Sequence, residues 1–216
     1  MTAALVTTYN EADTIGPLVA GLLEHVDNVL VVDDPRTTDN TEQIAHAFGA
    51  STLVDIESTG IGPCLIAGLK YLKGQQVVVI DAGGSHSPSS IPGMLRLDAW
   101  DVVIGSRFMA GSGYVGNPRR ARLSRTYSKA CSRRTGHQIS DWTSGFRVYS
   151  PKAVNAILAR PPTAKMHGWQ PQALAACLAH KCAVGERPIT YRAGRSSMNH
   201  KVAWEAVKAL RGLSCS

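Results

Sequence analysis

Short runs of apolar, β-branched residues alternate with stretches of helical period along the first half of the chain, and this alternation restricts the fold more than any other feature. Residues 4–8 (ALVTT) and 29–32 (VLVV) are two such runs. Between them Ile15, Leu18, Val19, Leu22 and Leu23 recur at the spacing of one helix face within residues 11–25. The unit then repeats: residues 41–48 read as helix, 51–55 as strand, 64–72 as helix, and 76–80 (QVVVI) as a strand buried on both faces. One more strand, residues 101–105 (DVVIG), runs into Ser106 and Arg107. Alternation of this kind predicts an α/β fold with a mostly parallel sheet and helices on both faces. At 216 residues, 44% of them hydrophobic, the chain is long enough to bury the core of one such domain. The sequence contains no internal repeat and no linker long enough to divide it.

Ligands of open α/β sheets gather beyond the carboxyl ends of the strands. Three expected strand ends carry polar groups there: Thr8-Tyr9-Asn10-Glu11, Asp33-Asp34, and Asp81-Ala82-Gly83-Gly84-Ser85-His86. A carboxylate just past a buried strand can bind a ribose or base. Asp33-Asp34-Pro35 also reads as a turn, and Asp39 as the cap of the helix starting near Thr41.

The charge is informative for where it sits. The formal net charge is +7, and the stretch from Arg107 to Ser140 holds no acid but eight cations: Arg107, Arg119, Arg120, Arg122, Arg125, Lys129, Arg133 and Arg134. Guanidinium groups grip phosphate bidentately, so this segment suits an anionic partner. It also reads as a solvated helix face, or as a track for a nucleic-acid backbone, although no DNA-reading module accompanies it. Five cysteines without a CxxC pair (Cys64, Cys131, Cys177, Cys182, Cys215) point to reduced thiols. No stretch approaches the roughly 20 apolar residues of a spanning helix, so a cytoplasmic protein is expected. No His/Cys cluster has zinc spacing; His25, His46 and His180 read as surface residues, while His86 follows the Asp81 motif.

The strand-end pieces, together with RRARLSR, SDWTSGFRVYS and ERPITYRAGRSSM, run in order from about residue 4 to residue 200. In that order they resemble the family-2 glycosyltransferases of GT-A (Rossmann-like) fold, most closely the dolichyl- or polyprenyl-phosphate mannose synthases. The resemblance implies an inverting transfer of mannose or glucose from a nucleotide-diphosphate sugar, GDP-mannose first and a UDP-sugar next. It implies a nucleotide-sugar half at 1–105 and, at 106–216, an acceptor half with a closing loop. Thr8, Tyr9, Asn10, Glu11, Asp33, Asp34, Asp81, Ala82, Gly83 and Arg192 would line the donor pocket. Asp81 with Ser85 would hold Mg²⁺ or Mn²⁺, hard cations that prefer oxygen ligands. Arg107, Arg120 and Ser124 would bind the acceptor, polyprenyl phosphate; Asp81, Asp141, Arg107 and Arg120 form the expected catalytic set, and Arg147 a structural ion pair.

The chain departs from the family pattern at three points: Gly83 and Gln172 stand where acids are usual, and Ser197 where a lysine is, leaving Arg192 or Arg195 to supply charge in the loop 194–198. An ionised phosphate acceptor needs no strong base. A hydroxyl acceptor on modified DNA or on a protein would need one, with Asp141 the candidate, and the two lost acids also suit a non-catalytic nucleotide-sugar-binding module. Peripheral membrane contact would rest on the basic residues and an amphipathic tail of Val202, Trp204, Val207 and Leu210.

Overall fold

The apolar runs form the middle of a seven-stranded sheet in the order β3-β2-β1-β4-β7-β5-β8. The computed structural model describes residues 1–96, 99–193 and 200–213; the expected closing loop 194–198, Cys215 and the Val202 side chain lie outside the described residues. β1 (Thr2–Thr8) pairs in parallel with β2 (Asn28–Asp33) on one side and β4 (Gln76–Asp81) on the other, setting Thr8 beside Asp33 and Thr7 beside Asp81. β3 (Ser51–Val54) forms one edge, and β5 (Val102–Ser106) pairs in parallel with β8 (Val184–Pro188) at the other. Residue alternation sorts the side chains: Leu5, Leu30 and Val79 face one core layer, while Val6, Val31 and Val78 face the second.

α1 (Ala12–Leu23) and α2 (Thr41–Ala47) pack on the second layer through Ile15, Val19, Leu22 and Ala45. α3 (Ile61–Tyr71), α6 (Pro151–Ala159) and α7 (Trp169–Ala179) cover the first through Leu65, Leu69, Val154, Ile157 and Leu174. The expected α/β sandwich with helices on both faces is therefore present.

One strand is not parallel. β7 (Arg147–Tyr149) inserts antiparallel between β4 and β5, pairing Val79 and Ile104 with Arg147. Because β7 runs against its neighbours, the residues preceding Arg147 emerge at the same edge as those following Asp81 and Ser106. The three segments that carry the polar motifs meet there.

Two further pieces frame that edge. β6 (Gly113–Val115) and β9 (Thr190–Arg192) make a separate parallel ribbon, to which His86 adds a bridge at Tyr191. α5 (Pro118–Thr135) carries most of the basic segment. Its start is fixed by Asn117, whose side chain accepts from the Arg119 N–H, and by Pro118 in the first turn. Gly136 closes it in the left-handed region at φ 75°, and Arg133 and Arg134 stand in the last turn where the helix dipole favours cations. α5 lies along α8 (His200–Gly212): the Tyr127 hydroxyl donates to the Ala206 carbonyl at 2.8 Å, and Arg134 donates to the carbonyls of Arg211 and Leu213. No helix among the described residues is long and apolar enough to cross a membrane. Cys64, Cys131, Cys177 and Cys182 are buried free thiols.

Candidate active site

The β1 and β2 ends interlock. Asp33 is buried and accepts from the hydroxyls of Thr8 (2.6 Å) and Thr37 (2.8 Å). Burial pushes its carboxyl above the ordinary range despite those two bonds. Asp34 is drawn the other way, chiefly by the Arg36 guanidinium. Arg36 donates through Nε (2.7 Å) and Nη2 (2.6 Å), and the Gly60 N–H adds a bond at 2.7 Å. Arg36 in turn lies over the ring of Tyr9, 5.4 Å from its centre. Asn10, at φ 55°, accepts from the Thr38 N–H at 2.8 Å. Asp39 accepts from the N–H groups of Thr41 and Ala12, and the Thr41 hydroxyl accepts from the Glu11 N–H. Asp39 is not the cap, which is Asn40; from the position before it, Asp39 ties the start of α2 to the β1–α1 turn.

Asp81 ends β4 with its side chain 53% exposed, and Oδ2 lies 3.4 Å from His86 Nε2. Its surroundings oppose ionisation, but the His86 hydrogen bond and the electrostatic pull of His86, His167 and Arg107 outweigh them and hold the carboxyl below the ordinary range. The segment before β7 comes so close that a Cβ on Gly145 would stand 2.5 Å from Asp81 Oδ1 and would have to displace the carboxylate. His86 is buried between Phe146 and Tyr191, with ring centres at 5.3 and 5.1 Å, and its Nδ1 has no hydrogen-bond partner among the described residues. Ala82 is buried, and the Ser85 carbonyl accepts from the Arg192 N–H at 3.0 Å while the Arg192 side chain is exposed.

Gly83 faces open space: a Cβ there would meet only Glu11 Oε1, at 3.8 Å. The described residues contain no group of three or more His, Cys, Asp or Glu able to hold a metal. Asp81, with the Glu11 carboxylate beside the space over Gly83, supplies hard oxygen atoms. That set fits Mg²⁺ or Mn²⁺ only if a diphosphate and water complete the shell.

On the other side of Asp81, Arg107 closes on Asp141. Nε and Nη2 donate to the two carboxylate oxygens at 2.7 and 2.8 Å, the Arg107 N–H adds a third bond, and Nη2 also donates to the Thr143 hydroxyl. Asp141 is wholly buried; burial opposes its charge, yet the Arg107 bonds keep it well ionised. Glu186 on β8 fastens the same turn by accepting from the Ser140 N–H and hydroxyl and from the Asp141 N–H. The Arg107 guanidinium lies 5.0 Å from the Phe108 ring centre and 5.2 Å from that of Tyr191. Arg125 reaches the Phe108 ring too, and Tyr114 stacks on Tyr191. Burial raises the Tyr114 phenol above its ordinary range against the opposing pull of Arg107 and of Arg120, which is exposed in the first turn of α5. Ser124, one turn further, is half-buried.

The structure corrects one of these expectations. Among the described residues Arg147 forms no ion pair: buried, it donates to the carbonyls of Trp142, Ser144 and Gln170 and reaches the Tyr149 hydroxyl. Gln172, standing where an acid is usual, accepts through Oε1 from the N–H groups of Thr163 and Ala164 and fastens that loop to α7, for which an amide oxygen suffices. Sequence reasoning gave His86 little weight, although its position five residues after Asp81 was visible, and it did not single out Arg36, Tyr114, Tyr191 or Glu186. Tyr114, Tyr191 and Glu186 act through partners distant in sequence, whereas Arg36 pairs with Asp34 two positions away and meets the distant Tyr9.

Comparisons with known proteins agree with this arrangement. The family profile described as Glycosyl transferase family 2 matches residues 3–158. An undecaprenyl-phosphate mannosyltransferase of Micrococcus luteus is 31% identical over 218 residues, spanning 94% of this chain and 89% of the relative. An uncharacterized protein of Methanocaldococcus jannaschii is 28% identical over 167 residues, 71% of this chain and 66% of that protein. Among solved structures, the glucosyl-3-phosphoglycerate synthase of Mycobacterium tuberculosis in complex with Mn²⁺, UDP and phosphoglyceric acid superposes with a TM-score of 0.78 at 20% identity, over 100% of this chain and 78% of that one. Its complex with phosphoglyceric acid gives 0.77 at the same identity, over 97% and 78%. At such identity the likeness shows the GT-A fold.

Proposed function

Given that this chain belongs to glycosyl transferase family 2 and is a glycosyltransferase, we propose that it moves a hexosyl group, with inversion, from a nucleotide-diphosphate sugar to polyprenyl phosphate. The observation that carries the reading is the meeting of opposite charges at one sheet edge: Asp81 at the end of β4 lies against Gly145, and Arg107, just past β5, is bonded to Asp141 and Thr143 of the same segment. An anion-binding cation beside a cation-binding carboxylate suits a reaction between two phosphorylated substrates. The mannosyltransferase relative supports a lipid phosphate acceptor.

In this reading residues 1–105 hold the donor and 106–216 the acceptor. Thr8, Tyr9, Asn10, Glu11, Asp33, Asp34, Ala82, Gly83 and Arg192 surround the nucleotide sugar, and Arg107, Arg120 and Ser124 hold the acceptor phosphate. The phosphate oxygen attacks the anomeric carbon from the face opposite the departing nucleoside diphosphate. That oxygen is already ionised, so no base is needed, which suits an Asp141 committed to Arg107. Mg²⁺ or Mn²⁺ bound at Asp81, with Ser85 close by, would neutralise charge on the leaving diphosphate. Trp204 and Leu123 are 55% and 56% exposed on α8 and α5, with Lys208 over the Trp204 ring and Arg119 and Arg122 exposed near Leu123 in sequence, and they suit peripheral contact with an anionic membrane.

The test offers labelled GDP-mannose and UDP-glucose, with and without Mn²⁺, to polyprenyl phosphate, phosphoglyceric acid, DNA and protein together. Label in solvent-extractable lipid is expected. Label in another fraction replaces the acceptor, and bound donor with no transfer reduces the chain to a binding module.

A further inference from the structure

We propose that Cys177 and Cys182 form a dithiol that closes reversibly to a disulfide when the protein meets a peroxide. The two thiols lie where α7 turns into the amino end of β8, at the sheet edge opposite the one that carries Arg107. Lys181, at φ 55°, takes the left-handed conformation just past the helix. Two backbone bonds close the turn there: the Lys181 N–H donates to the Leu178 carbonyl at 2.9 Å, and the Cys182 N–H to the Cys177 carbonyl at 3.0 Å. That pair of bonds is a Schellman cap, which brings the side chain after the turn back onto one in the last turn of the helix. Here those side chains are Cys182 and Cys177, both buried. A direct backbone bond between the two residues keeps their Cα atoms within the separation that a disulfide spans, about 4.4–6.8 Å. The turn is also held from outside. Asp101 accepts from the Ala183 N–H and from Lys152 Nζ, each at 2.8 Å, and Nζ donates to the Lys181 carbonyl at 3.0 Å.

The two sulfurs play different parts. Cys177 is wholly buried, its Sγ 3.7 Å from the Ala153 carbonyl oxygen. Cys182 is 5% exposed and follows the exposed His180 and Lys181, so a small oxidant meets it first. The hydrogen bond with Cys177 and the Lys152 charge draw the Cys182 thiol below its ordinary range against the effect of burial, while the same contact and burial push Cys177 up. The thiolate is the nucleophile, so Cys182 attacks the peroxide. Its sulfur takes one oxygen as the O–O bond breaks, giving a sulfenic acid, and the other oxygen leaves as water with the thiol proton. The Cys177 sulfur then attacks the sulfenic sulfur; the S–S bond forms, the S–O bond breaks, and a second water carries off the Cys177 proton. Two thiols and one peroxide thus give one disulfide and two waters. Cys64 and Cys131, whose thiols burial pushes up to about 12, stay protonated and serve as internal controls.

Brief exposure of the folded protein to hydrogen peroxide, then alkylation in denaturant, tryptic digestion and mass spectrometry, tests this. Trypsin cuts after Lys181, between the two cysteines, so a bridge is read as peptides 166–181 and 182–192 held together and released by dithiothreitol. The linked pair is expected, with Cys64 and Cys131 recovered as alkylated thiols and Cys182 oxidised roughly tenfold or more faster than either. Cys177→Ala should stop at a sulfenic acid on Cys182 that dimedone captures, and Cys182→Ala should leave Cys177 unoxidised. Should either variant fail to fold, the linked peptides of the unaltered protein still decide the matter. Absence of the linked pair overturns the proposal, as does linkage of either cysteine to Cys215. So does a bridge that forms no faster than Cys64 and Cys131 are oxidised, which would mean that the thiols react only in unfolded chains.

Discussion

Arg107 and Asp141, 34 positions apart in sequence, are joined by two parallel side-chain hydrogen bonds of 2.7 and 2.8 Å, and the Asp141 side chain is fully buried. The contact holds the Arg107 guanidinium against Tyr191, so in the proposed reading the geometry of the acceptor side depends on a carboxylate sealed from solvent. Asp141 then acts as a positioning residue.

Asp141→Asn should reveal that role. Removing one charge of a buried pair costs roughly 3–5 kcal/mol, about 10 °C or more in Tm for a chain of this size. Acceptor KM should rise more than donor KM. The sign of the pH effect follows from the depressed carboxyl: its contribution is complete above the ordinary aspartate pKa of about 3.9 and is lost as pH falls through the lower folded value. Thermal melts should therefore converge for variant and parent in strong acid. A variant that melts like the parent at pH 7 but transfers nothing would mark Asp141 as a base.

Asp33 has the opposite linkage. Its carboxyl titrates above the ordinary range, so the folded state holds the proton more tightly and stability declines as pH rises from the unfolded pKa through the folded one. Asp33→Asn keeps an acceptor for the Thr8 and Thr37 hydroxyls and removes that cost. It should melt at or above the parent at pH 7 while weakening donor binding at least tenfold. A fall in Tm at pH 7 contradicts this account.

Two glycines should respond in opposite ways. Gly83→Asp adds a carboxylate where a Cβ finds no atom nearer than 3.8 Å, so the fold should tolerate it and Mn²⁺ affinity, read by electron paramagnetic resonance, should rise. Gly145→Ala places a Cβ 2.5 Å from Asp81 Oδ1. Overpacking of that kind costs roughly 1–3 kcal/mol and displaces the carboxylate, so Tm and Mn²⁺ affinity should both fall.

The exposed pair Trp204 and Leu123 gives a membrane test. Vesicles rich in anionic lipid should sediment the protein, neutral vesicles should not, and Trp204→Ala with Leu123→Ser should weaken sedimentation several-fold without changing Tm. Equal binding to both vesicle types removes the electrostatic part of the argument.

The strands and helices of the first hundred residues were legible because each is declared locally: ALVTT and QVVVI are short and rich in β-branched residues, as buried strands are, and Ile15, Val19 and Leu22 share one helix face. The polar residues at the ends of β1, β2 and β4 were legible for the same reason, since a parallel sheet brings its carboxyl ends to one edge. β7 was not. Three residues are too few to show a period, and its antiparallel entry between β4 and β5 depends on a pairing with residues more than 40 positions away. That entry brings Gly145 against Asp81 and sets the Phe146 ring, tilted, against His86. The fates of charged side chains were hidden likewise: Arg147 satisfies carbonyls, Arg107 a carboxylate and Arg36 an aspartate beside an aromatic ring. Hydrophobic spacing is a property of neighbours in sequence, so the sequence by itself determined the layers and the edge where chemistry can occur. Hydrogen-bond satisfaction is a property of neighbours in space, so only the tertiary structure decided which cations at that edge are committed and which still have donors to offer.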